Sequence, residues 1–202
     1  MLTNQLYICL IISEVKNCRG FFVLKKVFYE KIVYQRANQY CNNVQAWQIP
    51  LLEILYIGNF IYCIEGKDKY INQFMVRVEK KLEQLAKNDT DYWEKYAYLL
   101  FMKAFLLKLR GDTEEALSYF HEILSLESVI ETEVQVLPQA CYEIGLIHRR
   151  NRKTAETKRW LNKASKYNNY ISEFLVKWRI SYALEHLEPM EYTMPEVLSN
   201  LD

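Results

Sequence analysis

Residues 91–127 constrain this chain most tightly. From Tyr92 to Leu109 an apolar side chain falls on every turn: Tyr96, Leu99, Leu100, Ala104, Phe105, Leu107. From Thr113 to Leu126 the same holds for Ala116, Leu117, Phe120, Ile123 and Leu124. That is the i, i+3, i+4, i+7 spacing of one buried helical stripe. Gly111 lies between them, and glycine readily takes the left-handed conformation that follows a helix end. Asp112 or Thr113 is expected to cap the second helix, with Glu114 and Glu115 at its positive end. Ala104 and Ala116 are small where two helices must approach closely. The stretch predicts a helical hairpin, and with it an all-α fold.

The same unit can be laid along the whole chain. Hairpins are expected at about 2–39, 51–86, 92–126 and 139–166, followed by a last helix at 171–186 that covers the end of the array. Pro50 suits the first turn of a helix. Pro189 and Pro195 break regularity, so 189–202 reads as a frayed tail. Only five glycines and four prolines occur in 202 residues, which disfavours a β-sandwich and favours long helices. Gly145 follows Ala104 by 41 positions, and so do Leu161 after Phe120 and Ala164 after Ile123. The small–Gly–Ala–Phe spacing is the pattern of a tetratricopeptide repeat, whose ordinary period is about 34 residues. Residues 1–188 are therefore expected to form one right-handed superhelix of tetratricopeptide-like hairpins with a C-terminal capping helix, its connections longer than usual.

Several functions are disfavoured. A net charge of +1 gives no global preference for nucleic acid or for an acidic substrate. Cys9, Cys18, Cys41, Cys63 and Cys141 form no CxxC pair, which fits reduced, mostly buried thiols in a cytoplasmic protein. His121, His148 and His186 lie far apart, so no metal or other cofactor is expected. Met1–Ile12 is apolar but lacks the basic start and small-residue cleavage pattern of a signal peptide, and reads as a repeat helix. Ile49–Ile64 contains Glu53 and falls short of the ~20 residues that span a bilayer. No nucleophile elbow, phosphate loop or zinc-protease motif appears, so no enzyme activity is expected. Glu53, inside an apolar helix, is expected to pair within the fold.

Three further segments carry a family resemblance. They are Ile49-Pro50-Leu51-Leu52-Glu53-Ile54-Leu55-Tyr56-Ile57 with Asn59; Val136-Leu137-Pro138 running into Tyr142-Glu143-Ile144-Gly145-Leu146-Ile147; and Tyr170 and Glu173 with Trp178-Arg179-Ile180 and Ala183-Leu184. Together with the 91–127 hairpin they resemble the C-terminal part of the tetratricopeptide repeat protein 39 family, which includes the fungal inclusion body clearance proteins. Gly58 departs from the tryptophan usual in that family, and Leu175 from the usual arginine. The resemblance implies a non-catalytic helical-repeat scaffold or adaptor, linked in some members to lipid homeostasis.

A repeat array binds partners on the concave face of its first helices. The corresponding side chains are Tyr56, Phe60, Phe101, Phe105, Tyr142 and Leu146. They either form an apolar groove for a protein partner or a lipid chain, or fill the space between repeats. With no basic or amide group among them, a clamp for the C-terminal carboxylate of a chaperone is not expected. Arg149, Arg150, Arg152, Lys153, Lys158 and Arg159 form a basic turn. An alternative function is thus peripheral attachment to an anionic membrane or lipid-droplet surface; without interleaved aromatics, nucleic acid is not. Trp93, Trp160 and Trp178 are assigned to packing between hairpins.

Overall fold

The computed structural model describes Arg36, residues 48–87 and residues 91–187. Among these residues all regular structure is helical. Seven α-helices follow one another: α1 Pro50–Ile57, α2 Asp68–Glu83, α3 Tyr92–Arg110, α4 Thr113–Ser125, α5 Val136–Arg150, α6 Thr154–Ser165 and α7 Glu173–Glu185. The expected hairpin at 2–39 and the tail at 189–202 lie outside the described residues, apart from Arg36.

The single helix expected over 51–64 is broken. Pro50 occupies the first turn of α1, which stops at Ile57. Asn59 then takes a left-handed conformation (φ 61°), and Phe60–Ile64 form a tight 3-10 turn. The Phe60 ring folds back over Gly58, where an added Cβ would come within 2.5 Å of it. Apolar periodicity continues through the break, but Gly58 lowers helix propensity and Asn59 tolerates the turn.

Helix α3 is the centre of the molecule. From Ala97 to Leu109 all its side chains but Lys103 are buried, and a helix apolar on every face must be covered on every face. Its neighbours α2, α4 and α5 supply that cover. Gly111 ends it in the left-handed region (φ 103°), and the Gly111 and Asp112 N–H groups both donate to the Leu107 carbonyl at 3.0 Å. Asp112 does not cap α4 through its side chain, contrary to expectation, because Arg110 engages its carboxylate.

Each helix from α2 onward touches the next in sequence, and α3 touches α5 as α5 touches α7. Between α5 and α6 the approach is close at Gly145, where a Cβ would lie 2.9 Å from Leu161. Helix α7 does not stand alone: Val176, Ile180 and Ala183 close a second core with Cys141, Leu161 and Ala164. Trp93 and Trp178 are exposed rather than packed between hairpins, and Trp160 is half-buried. Among the described residues no helix is long and apolar enough to cross a membrane.

Candidate functional site

Where α3, α5 and α7 meet, the 3-10 turn and the helix ends leave a cavity of about 570 Å³, within the size range of ligand pockets. Each wall follows from the local sequence. Asn59 redirects the chain after α1, so that Tyr62 and Glu65 face the cavity. The Gly66 N–H donates to the Leu109 carbonyl (3.1 Å), which ties this turn to the end of α3 beside Lys108. Helix α5 contributes Tyr142, Leu146, Arg149 and Arg150, at i, i+4, i+7 and i+8, which share one helical face. Helix α7 contributes Trp178, Arg179, Tyr182 and Ala183.

Among the described lining residues four are cations, Lys108, Arg149, Arg150 and Arg179, against one carboxylate, Glu65. A second acid, Glu143, is fully buried behind the wall, where it accepts from the Lys108 ammonium and from the Tyr56 hydroxyl (3.0 Å). Burial first, and then Glu143, push the Tyr56 phenol well above its ordinary value, so it stays protonated and donates. Tyr62 and Tyr142 are raised for the same two reasons. The Lys108 ammonium also lies 5.5 Å from the Tyr62 ring centre and 5.7 Å from that of Phe105, a cation–π arrangement.

Arg179 is buried, and its Nη2 donates to the Tyr56 and Ile57 carbonyls at the C-terminal end of α1, where helix carbonyls lack partners. Its guanidinium also stands 5.7 Å over the Tyr56 ring. The Arg179 Nε, by contrast, has no hydrogen-bond acceptor among the described residues. At the rim, Arg150 pairs with Glu65, both partly exposed. Trp178 and Tyr182 stack with ring centres 6.1 Å apart, and Tyr182 stacks in turn on His186.

No family model matches the chain, and no solved structure matches it. The site therefore has to be read from its own geometry.

The residues singled out from the sequence are distributed unevenly. Tyr56, Phe101 and Phe105 lie in the interior, in edge-to-face contact (Tyr56–Phe101 5.1 Å, Tyr56–Phe105 4.8 Å), so of the two alternatives for the aromatic stripe they take interior packing. Phe60 is 67% exposed and points away from that interior, and only Tyr142 and Leu146 line the cavity. Beyond those six positions, Lys108, one turn past Phe105, and Arg149 add basic side chains to the wall.

The basic turn divides in two. Arg149 and Arg150 belong to the cavity, whereas Arg152 and Lys153 are exposed on the α5–α6 connection and Lys158 and Arg159 on α6, Arg159 with Glu156 at 3.1 Å and over the Trp160 ring.

Sequence reasoning missed Lys108, Glu143 and Arg179. Each is a charge at a core position of an apolar helix, the same signal that singled out Glu53. Glu53 does pair inside the fold, with Arg36 (2.7 and 3.1 Å) and with the Tyr98 hydroxyl (2.7 Å).

Proposed function

We propose that this chain is a non-catalytic protein-interaction module of tetratricopeptide-like hairpins in a right-handed superhelix, closed by α7 and similar in kind to the tetratricopeptide repeat protein 39 family. Its partner-facing site is the cavity between α3, α5 and α7. The observation that carries this reading is the origin of the walls: successive hairpins contribute their first helices, and the last helix completes them. The chain of contacts from α3 to α5 to α7 is the one a stacked array makes along its inner face. Exposed aromatic residues beside arginines have the composition of interaction hot spots. The resemblance adds a connection with lipid homeostasis, and the scattered cysteines favour a cytoplasmic location.

Site-specific photo-crosslinking tests the reading. A benzophenone amino acid replaces Trp178 or Tyr182 at the cavity rim, or Val76 on the exposed face of α2, in the native cell. The expected result is one discrete protein adduct from both rim positions and none from Val76. Equal adducts from all three positions, or adducts to lipid alone, would overturn it.

A second reading rests on Arg152 and Lys153 on the α5–α6 connection and Lys158 on α6, all three exposed. Such a cluster attracts an anionic surface at about 1 kcal/mol per charge. It predicts flotation with phosphatidylserine vesicles that is lost when these three residues become glutamate.

A further inference from the structure

The cavity has a sign, and its sign names its ligand. Its walls carry four cations and one carboxylate. Internal acceptors satisfy Lys108, Arg150 and Arg179 only in part: Glu143 takes the Lys108 ammonium, Glu65 takes part of Arg150, and the α1 carbonyls take one nitrogen of Arg179. The buried Arg179 Nε has no acceptor among the described residues. Arginine forks bind carboxylates with two parallel hydrogen bonds, which a neutral amide reproduces poorly. Around these donors Tyr62, Tyr142, Trp178 and Tyr182 offer aromatic faces to the apolar part of a ligand.

We propose that the cavity binds an acidic segment of a partner protein, in which glutamate or aspartate side chains flank an aromatic residue. The acidic side chains meet Arg149, Arg150 and Arg179, and the aromatic ring stacks on Trp178 and Tyr182. Glu65 is the internal competitor: it holds Arg150 at the rim and repels an incoming carboxylate. This proposal rests on the interaction-module reading and specifies its partner.

The Arg150–Glu65 pair allows a test in both directions without disturbing the core, since the two side chains are 59% and 36% exposed. The probe is a fluorescein-labelled peptide containing Glu-Glu-Tyr-Glu-Glu, followed by anisotropy on the full chain. The control peptide carries glutamine at each glutamate. Arg150→Gln is expected to weaken the glutamate peptide about fivefold or more, and Glu65→Gln to tighten it about threefold, the size of one exposed charge-assisted contact. Neither variant should change the control peptide or the thermal unfolding of the chain, and affinity should fall with added salt.

Equal affinity for the two peptides, or variants that move affinity in the same direction, would overturn the proposal. So would competition by inorganic phosphate as strong as that by the peptide, which would mark a simple anion site. A rim crosslink to a protein together with no binding of the glutamate peptide would sink the acidic preference and leave the module reading standing. Peptide binding with the expected responses but no protein crosslink would do the reverse.

Discussion

Lys108 and Glu143 meet inside the molecule, where both are almost wholly withdrawn from water. Desolvating two charges costs several kcal/mol per ion, and their attraction offsets this only while both are present and hydrogen-bonded. Here the geometry is complete on the acid side, since Tyr56 donates to the second Glu143 oxygen at 3.0 Å. Removing one partner therefore differs from removing both. Lys108→Met is expected to cost about 3–5 kcal/mol, because it strands Glu143. Adding Glu143→Leu should return most of that loss, leaving the Tyr56 hydroxyl as the remaining cost. Urea unfolding of the two variants checks this, and a double variant no more stable than the single would show that the pair is not coupled. The pair escapes sequence reading for a physical reason. A lysine in Leu106-Leu107-Lys108-Leu109 is compatible with snorkelling to the surface as well as with burial, and only the packing of α5 against α3 decides.

At the scale of the helices, most of the pattern was open to reading. The apolar stripes of α3 and α4, the glycine between them and the small residues at 104, 116 and 145 all follow from helix geometry, so local sequence is enough to place them. What failed was local too, but turned on backbone rather than side-chain pattern. Gly58 and Asn59 break an apolar run that looks continuous, and Asp112 gives its carboxylate to Arg110 instead of the helix end. The aromatic stripe had two readings, a groove or interior packing, and Tyr56, Phe101 and Phe105 take the second because α3 is covered on every side. Periodicity says that a face is buried and never by what.

The two hairpin turns make a matched comparison. Gly111 and Arg152 both occupy the left-handed region, at φ 103° and 58°. Open space surrounds the Gly111 Cα, so a methyl there meets no atom and the cost is conformational alone. Gly111→Ala should destabilise by about 1 kcal/mol, and Arg152→Gly should stabilise by up to about 1 kcal/mol. Opposite shifts of the urea midpoint at constant slope are the expected signature. Equal signs would mean that the Arg152 side chain makes a contact that outweighs its backbone strain.

At the scale of the whole molecule, Arg36 ties distant parts of the chain together. Its guanidinium binds both oxygens of Glu53 on α1 and, 97 positions along the chain, both oxygens of Glu133 just before α5 (2.9 and 3.0 Å). Glu94 on α3 braces the same loop by accepting the N–H groups of Glu131, Thr132 and Glu133 at 2.6–2.9 Å. Three separate parts of the fold thus converge on one cation. Burial pushes the Glu133 carboxyl above its ordinary value of 4.5, and Arg36 pulls it back part of the way. Arg36→Met removes the pull, so the folded-state pKa of Glu133 rises further while the unfolded-state value stays where it was. A carboxyl raised in the folded state stabilises the fold below its unfolded pKa, and that contribution is lost as pH climbs through the folded value. The variant should therefore be worst at neutral pH, by about 3–5 kcal/mol, and should approach the parent as pH falls towards 4.5, where the stranded Glu133 takes up a proton. Parallel pH–stability curves for parent and variant would show that Arg36 holds the three parts together by packing and not by charge.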